Sequence, residues 1–415
     1  MALAFGAVVR YDDTYTGGMT MTERLYYDQS YLTEFDASVT KIDGECVALN
    51  RTAFYPTSGG QPFDTGTLND LRVTDVTVEG GEVWHKIEGK LEVGQSVHGT
   101  IDWPRRFDHM QQHAADHMLA GALHELTGAT TIGLHIGPEL SSIDVAMPEG
   151  ETHLAPEMIE RLENMVNLRV QQDHPIRCWF PEAEELKSLP LRKDPTVSEH
   201  VRIVAMGDFE MVACGGTHPS TTGQIGPVKI VSAAPARGKL RLSFLAGMRA
   251  YRELQRNYAS AHAAAQLLST GVKELPERLE GALARLKDAE FELGRLRRER
   301  LLDSAESLLA NAEALPGGRL VVAELDADMA GLRELASRLI ADDGVIALLS
   351  SAAGERRELL FARSADLQQS MGALMKRAAE PLGGRGGGRP DFAQGGGPAG
   401  VLAAAREILM KGEPL

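Results

Sequence analysis

The hydrophobic pattern of the chain changes its period near residue 104. Before that point, short β-branched segments are separated by Gly, Asp and Asn, which is the pattern of strands joined by turns. The segments are SVTKID, CVALN, RVTDVTVEG, EVWHKIEG and SVHGTIDW. Short strands of this kind predict a small β-barrel or curled sheet over residues 1–104.

From Arg105 the apolar residues recur at intervals of three and four, which predicts a buried helix that Gly128 ends. The stripe consists of Phe107, Met110, Ala114, Met118, Ala122 and Leu126. A second helix is predicted from about Ala155. Strands are then predicted around IRCWF, VRIVAMGDF, GPVKIVSA and LRLSFLAG. Residues 105–247 are therefore expected to form an α+β domain.

After Gly247 the strand signal almost disappears, and Leu275-Pro276 places a proline at a helix start. Leucine and alanine then recur at four and three, which predicts a long helix or helical hairpin, a stalk, over 248–315. The stripe is Leu279, Leu283, Leu286, Ala289, Leu293 and Leu296. Strand and helix patterns alternate again over 316–415, which predicts a small α/β domain with a Gly-rich loop, GGRGGGRPDFAQGGG. The predicted fold class is α+β.

Composition indicates the class of protein and the cell compartment to expect. The 415 residues are 43% hydrophobic and 24% charged, which is ordinary for soluble protein. No apolar run approaches the roughly 18 residues that a spanning helix needs, and MALAFGAVVR has no basic segment ahead of its apolar stretch. Three cysteines make no disulfide framework. We expect a cytoplasmic protein that does not enter membranes.

The net charge of −15 argues against a polybasic nucleic-acid binder. Residues 236–300 nevertheless carry 14 Lys and Arg against 8 Asp and Glu, a local excess of +6. Such a stretch suits contact with a phosphate backbone, and it equally suits a solvated helix.

The candidate chemistry lies in two separated motifs. In CGGTH, Cys214 and His218 stand four apart around two glycines, and in HAADH, His113 and His117 stand at i and i+4 on one helix face. Three imidazoles and a thiolate are a ligand set that suits Zn²⁺. Each half alone is common as a packed or surface feature, and His109 offers a competing pair one turn earlier.

Three stretches resemble the editing domain of alanyl-tRNA synthetase and the free-standing alanyl-tRNA editing (AlaX) proteins. They are FYPTSGGQPFDTG, HAADH and CGGTHPSTTGQIG, in the family's order and spacing. LPGG through GGGRPDFAQGGG is similar to the C-terminal domain that alanyl-tRNA synthetases share with DHH phosphoesterases. The resemblance implies the long form of AlaX, and that His113, His117, Cys214 and His218 hold zinc.

The implied function is hydrolysis of the ester that joins serine or glycine wrongly to tRNA(Ala). Gln61 is a candidate catalytic residue, and it follows Gly59 and Gly60, two candidate substrate-binding residues whose backbone can approach a ligand closely. The resemblance places this loop near the editing pocket. Asp208 in MGDFE is the second catalytic candidate, placed to orient an imidazole, although such a residue is more often part of a turn.

Thr131 lies just beyond the metal helix, where its hydroxyl suits the hydroxyl of a seryl group. His135, four residues on, is a weaker substrate-binding candidate and is more often a packed or surface residue. In the Gly-rich tail, Arg385 and Arg389 are candidates for contact with tRNA, although such composition is also typical of a linker. The resemblance further implies a homodimer through the stalk and the C-terminal domain.

Three alternatives follow from the same residues. We expect no aminoacylation domain ahead of Met21, which disfavours a synthetase. A DHH phosphoesterase is disfavoured because DHM at Asp108 lacks the second histidine. A tRNA-binding or assembly protein with a purely structural zinc remains, and hydrolysis of Ser-tRNA(Ala) separates it from the editing enzyme.

Overall fold

The computed structural model describes residues 21–195, 200–352, 354 and 356–412. The segment MALAFGAVVR and the first 20 residues of the predicted barrel domain lie outside them. Within the described residues, no helix is both long enough and apolar enough to span a bilayer. The chain divides into two compact units, one reaching Ala261 and the other starting at His262. The four-part division predicted after residues 104, 247 and 315 is finer and stays a prediction.

The first unit begins with eight strands. They are β1 Glu23–Arg24, β2 Glu34–Asp43, β3 Cys46–Leu49, β4 Arg51–Thr52, β5 Gly66–Leu68, β6 Leu71–Glu79, β7 Glu82–Ile87 and β8 Ser96–Ile101. Six of them pair in the closed order β2-β3-β7-β6-β5-β8, and β1 pairs with β4. Alternate residues of β2, Phe35, Ala37 and Val39, point into the barrel core. The five strands predicted here from sequence are confirmed.

Helix α1, Trp103–Thr127, follows the barrel, with proline in its first turn and Gly128 ending it at φ 74°. The predicted helix is confirmed. Arg106 joins it to the barrel: its Nε donates to Asp64 Oδ2 at 2.9 Å, and one terminal nitrogen donates to the Ser30 carbonyl at 2.9 Å. Both charged side chains are fully buried. This ion pair holds the amino-terminal end of α1 against the loop that follows Gln61.

The rest of the first unit packs around α1. Its elements are β9 Thr130–Ile136, β10 Ser141–Ala146, α2 Pro156–Gln171, β11 Ile176–Trp179, α3 Ala183–Ser188, β12 Ile203–Met206, β13 Glu210–Ala213, β14 Val228–Ala236, β15 Lys239–Ala246 and α4 Gly247–Leu267. One sheet has the order β14-β15-β10-β9 and a second the order β11-β12-β13. Met118, Leu119 and Leu123 of α1 lie in the core between them and α2. The boundary between the units falls within α4.

The second unit contains a six-stranded sheet. Its elements are α5 Leu275–Ala310, β16 Glu313–Leu315, β17 Gly318–Leu325, α6 Met329–Leu339, β18 Val345–Ser351, β19 Arg357–Arg363, α7 Met371–Ala379, β20 Arg385–Gly388, β21 Phe392–Gly397 and α8 Gly400–Met410. The strand order is β16-β17-β18-β19-β21-β20. The predicted helix after Leu275 is confirmed as α5, and the mixed α+β class is confirmed.

The Gly-rich stretch is not the predicted loop. It forms a hairpin in which β20 pairs antiparallel with β21, from Arg385 opposite Gly396 to Gly388 opposite Ala393. Glycine is required there by close approach: a Cβ on Gly388 would lie 2.2 Å from the Phe392 carbonyl oxygen, and one on Gly386 2.8 Å from Met375 of α7. Glycine-rich composition is typical of loops because it weakens strands. Here neighbouring backbone and α7 pack tightly onto the hairpin, so the prediction was wrong.

Candidate metal centre

The side chains of His113, His117, Cys214 and His218 converge in the first unit. One ligand atom from each lies within 4.8 Å of the others. His113 and His117 come from successive turns of α1, and their rings stack with centroids 5.0 Å apart. Cys214 and His218 come from the loop after β13, and the His218 ring lies 4.6 Å from that of His113. The two predicted halves of the cluster therefore meet.

The donor distances fit a four-coordinate metal ion. Cys214 Sγ lies 3.4 Å from His113 Nε2 and 3.4 Å from His218 Nε2. In a tetrahedral zinc site with ordinary bond lengths, the edges between sulfur and nitrogen ligands are about 3.5 Å. His218 Nδ1 is buried without a hydrogen-bond partner. The cluster is consequently a set of donors of the kind, number and spacing that zinc takes.

Gln61 fixes the tautomer of His113. Its Oε1 accepts from the Thr217 backbone N–H at 3.3 Å and lies 2.8 Å from His113 Nδ1, while its Nε2 donates to Thr217 Oγ1 at 2.8 Å. Because a backbone N–H only donates, the amide oxygen faces it, and His113 Nδ1 carries the proton. His113 Nε2 is then an unprotonated nitrogen that faces Cys214. Gln61 therefore orients an imidazole of the His/Cys cluster, which is the role that outer groups have in known metal sites.

Of the two glycines in CGGTH, Gly216 is the one that the packing of the cluster requires. A Cβ on Gly216 would lie 2.2 Å from His113 Cε1 and 3.0 Å from Gln61 Oε1. A Cβ on Gly215 would approach only the Tyr27 hydroxyl, at 3.7 Å. The loop can bring Cys214 and His218 to the helix only because residue 216 has no side chain.

The electrostatics of the cluster favour a thiolate. Burial raises the pKa of Cys214, but the imidazoles of His113, His117 and His218 outweigh it and hold that pKa well below its ordinary value. Burial lowers the pKa of His117, yet the Cys214 thiolate and Glu210 raise it to about 10. Burial lowers the pKa of His218 to about 3. These opposite shifts describe a Cys214 thiolate paired with a His117 imidazolium, and a bound metal cation would take the place of the His117 proton.

Glu210 faces the cluster from the first position of β13. Its Oε1 lies 3.8 Å from His117 Nδ1, an electrostatic contact rather than a hydrogen bond. Arg192 Nε donates to both Glu210 oxygens, at 3.0 and 2.9 Å. Burial raises the pKa of Glu210, but His117 and Arg192 outweigh it, and the net shift is downward. Glu210 is therefore an ionised carboxylate beside His117 of the cluster.

Of the predicted substrate-binding residues, Thr131 of β9 is connected to Glu210 through Arg192, and Gly60 is hydrogen-bonded to the end of β9. Thr131 Oγ1 accepts from an Arg192 terminal nitrogen at 3.0 Å. Gly59 and Gly60 form the tight turn between Ser58 and Gln61, with φ of +58° and +87°. The Gly60 carbonyl accepts from the Ile136 N–H at 3.0 Å. Backbone geometry explains both glycines, and substrate contact by them stays a prediction.

Three predicted residues lie apart from the His/Cys cluster. His109 is buried on α1 but is not in the His/Cys cluster found among the described residues. Asp208 is exposed in the turn between β12 and β13, which is the turn role weighed above. His135 is exposed on β9, opposite Ser142. In the hairpin of β12 and β13, the carboxylate that faces His117 belongs to Glu210 and not to Asp208.

In the second unit, Arg385 begins β20 and Arg389 lies in the turn of the hairpin. Both side chains are exposed. Arg389 lies 3.5 Å from Asp391. Contact of either arginine with tRNA stays a prediction.

Sequence reasoning missed Glu210, Arg192 and Thr217. Strand alternation was a usable signal for Glu210, because residues 210, 212 and 214 share one face of β13 and its extension. Arg192 lies 18 residues before Glu210 in an irregular segment. No local pattern could have placed it at the site.

Three family models match parts of the chain. They are tRNA synthetases class II (A) over residues 8–105, the threonyl and alanyl tRNA synthetase second additional domain over 201–243, and the DHHA1 domain over 317–411. The crystal structure of the C-Ala domain from Aquifex aeolicus alanyl-tRNA synthetase matches with a TM-score of 0.23 at 25% identity, covering 24% of this chain and 98% of that one.

Two kinds of curated relative match nearly the whole chain. Alanine–tRNA ligase from Pyrococcus abyssi is 32% identical over 389 residues, which are 90% of this chain but 42% of the ligase. The chain thus spans less than half the length of such ligases. Alanyl-tRNA editing protein AlaX-L from Pyrococcus horikoshii is 30% identical over 389 residues, which are 90% of this chain and 94% of that protein. The chain belongs to the family of long-form alanyl-tRNA editing proteins, AlaX-L.

Proposed function

We propose that the chain is a zinc-dependent deacylase that hydrolyses the ester of tRNA(Ala) mischarged with serine or glycine. The observation that carries the proposal is the convergence of His113, His117, Cys214 and His218 in a member of the alanyl-tRNA editing family. The lowered pKa of Cys214 and the fixed tautomer of His113 support a resident metal ion.

A zinc ion bound there would supply positive charge for the ester carbonyl, or for the amino group of the substrate, and would lower the pKa of a bound water. The protein's own contribution is position. Gln61 holds the His113 ring so that Nε2 faces the cluster. Thr131 on β9 offers a hydroxyl that favours a seryl group, since alanine would leave it without a partner.

A second candidate function is a tRNA-binding protein with a structural zinc. It is favoured by the four protein ligands, because catalytic zinc sites usually have three and keep one position open. The ligands are also largely buried. This alternative predicts a metal that holds the loop of Cys214 against α1 and an ester that stays intact.

The deciding experiment compares release of serine, glycine and alanine from tRNA(Ala) by the wild-type protein and by Cys214→Ala, with the zinc content of both measured. The proposal expects about one zinc per wild-type chain, as in a mononuclear site, and release of serine or glycine with alanine spared. Cys214→Ala should lose both zinc and activity. A wild-type protein that binds zinc and tRNA but releases none of the amino acids would support the second function.

We extend the proposal to a homodimer formed along the stalk. Five leucines of α5 at intervals of three, four and seven are about half exposed: Leu279, Leu283, Leu286, Leu293 and Leu296. A helix face of this kind suits burial against a second helix. Sedimentation should give a dimer for the wild type and a monomer for Leu283→Lys with Leu286→Lys. A wild-type monomer at micromolar concentration would contradict the extension.

A further inference from the structure

The space beside His117 is shaped for a carboxylate. Gly121 lies one turn after His117 on the same face of α1. A Cβ at Gly121 would lie 2.4 Å from Glu210 Oε2. Glycine is disfavoured relative to alanine inside a helix, so its presence here calls for a packing reason. The missing side chain leaves room for the Glu210 carboxylate against the helix.

Arg192 holds that carboxylate in place and also reaches the strand beyond it. Its Nε donates to both oxygens of Glu210, and a terminal nitrogen donates to Thr131 Oγ1 at 3.0 Å. The Glu210 side chain is 1% exposed and that of Arg192 is 11% exposed. One guanidinium therefore spans from the carboxylate behind a metal ligand to the hydroxyl on β9.

The contact also sets the hydrogen-bonding role of Thr131. An arginine only donates, so the Thr131 oxygen accepts on that side and its own proton is directed elsewhere. Among the described residues, no protein acceptor for that proton is found. A bulge at Ile132 shifts the pairing of β9 with β10 immediately beside Thr131, and bulges of this kind re-aim neighbouring side chains.

We propose that Glu210 and Arg192 are positioning residues that join the metal ligand His117 to the Thr131 hydroxyl, and so make selection of a hydroxyl-bearing acyl group depend on the geometry of the metal site. Glu210 orients the His117 ring, and Arg192 presents Thr131 as a donor to the seryl oxygen. The part that concerns serine rests on the function proposed above. The part that concerns His117 does not.

The first experiment needs no activity. Zinc release to a chelator is followed for the wild type, Glu210→Gln and Gly121→Ala. Gly121→Ala gains helix propensity, but its Cβ forces the buried carboxylate aside. The unfolding free energies of both variants are therefore measured beside zinc release, which separates lost stability from weakened metal binding. Glu210→Gln and Gly121→Ala should each hold zinc about 10-fold more weakly than the wild type, as for outer groups in other metal sites.

Two control variants are expected to match the wild type. Gly281→Ala lies in α5, where a Cβ meets open space. Arg241→Gln breaks an exposed ion pair with Asp144. Wild-type zinc retention by Glu210→Gln and Gly121→Ala would overturn the role of Glu210.

The second experiment measures kcat/KM for Ser-tRNA(Ala) and Gly-tRNA(Ala). Three variants should each lower the ratio of the serine to the glycine kcat/KM by about 10-fold: Thr131→Val, Arg192→Gln and Arg192→Lys. Arg192→Lys is included because lysine keeps the charge but cannot contact Glu210 and Thr131 at once. Adding Arg192→Gln to Thr131→Val should lower the ratio no further. An unchanged ratio, or two effects that multiply, would overturn the role of Arg192. If the wild type releases no amino acid, the proposed function fails, and the zinc experiment still decides the role of Glu210.

Discussion

Two glycine-rich segments, one in each compact unit, differ in how well their sequence indicates what the glycines do. In CGGTH of the first unit, the glycines stand between Cys214 and His218 of the His/Cys cluster, and one of them leaves space for an imidazole. In GGRGGGRPDFAQGGG of the second unit, the glycines leave space for neighbouring backbone and for α7. In both segments glycine lets neighbouring atoms come close to the backbone. Only in the first do the flanking residues, Cys214 and His218, indicate from sequence that an imidazole is the neighbour.

The largest expected effect follows from the pair of glycines at the cluster. Gly216→Ala places a Cβ against His113 and Gln61, so zinc affinity should fall by roughly 100-fold or more, since a ligand and its orienting group both move. Gly215→Ala is the matched control and should bind zinc as the wild type does. Competition with a chromophoric chelator measures both. Equal zinc affinity in the two variants would contradict the role given to Gly216.

The corresponding pair in the second unit should change stability and leave zinc untouched. Gly388→Ala puts a Cβ 2.2 Å from a carbonyl oxygen and should destabilise the unit by about 3 kcal/mol through overpacking. At Gly387 a Cβ would meet only the end of Lys376 at 3.6 Å, so Gly387→Ala should change stability little. Hydrogen exchange of the β19 and β21 amides reports on this unit. Similar protection in both variants would argue against a packed hairpin.

The barrel of the first unit should lose stability in acid because of one buried histidine. His85 in the barrel is fully buried, with Nδ1 3.1 Å from the Val47 carbonyl and Nε2 2.8 Å from Thr52 Oγ1. Burial lowers its pKa from 6.5 to about 4. The unfolded chain therefore binds more protons between these values, and this contribution to stability is complete above pH 6.5 and is lost as the pH falls toward 4.

From pH 7 to pH 5, His85 should cost the first unit about 2 kcal/mol of unfolding free energy. The measurement is hydrogen exchange of the β3 and β7 amides in the wild type and in His85→Asn at both pH values. The wild type should lose more protection than the variant on acidification. Equal losses would mean that His85 is not held neutral by burial.

The smallest expected effect concerns tRNA contact at the hairpin. If Arg385 and Arg389 meet phosphates, replacing each by glutamine should weaken tRNA binding a few-fold and lower the slope of log affinity against log salt by about one. Arg319→Gln, an exposed arginine of the same unit at the start of β17, is the control. An unchanged salt slope in both hairpin variants would remove them from the interface.

How far the sequence could be interpreted depended on whether a signal was local. The helix of His113 and His117 and the strands that flank it follow from periodicity, and Gly128 marks the end of α1. The meeting of these histidines with Cys214 and His218 required the resemblance, because about 100 residues separate the two motifs. Neither route could find Arg192, which reaches Glu210 and Thr131 only through the tertiary fold.

The Gly-rich hairpin shows the converse limit. Composition alone indicated a loop, because it cannot show that the preceding helix, α7, folds back and packs on the glycines. Gly372 of α7 makes the point: a Cβ there would lie 2.6 Å from the Gly388 carbonyl oxygen. A strand built mostly from glycine is stabilised by what packs on it rather than by its own side chains.

The proposed function requires that the cluster of His113, His117, Cys214 and His218 holds a zinc ion on which ester hydrolysis depends. The most direct measurement removes metal from the wild-type protein with a chelator, adds zinc back in measured steps, and follows serine release from Ser-tRNA(Ala) at each step. We expect serine release to be lost with the metal and to return in proportion to added zinc, with a break at about one ion per chain. Full serine release by the zinc-free, folded protein would contradict it.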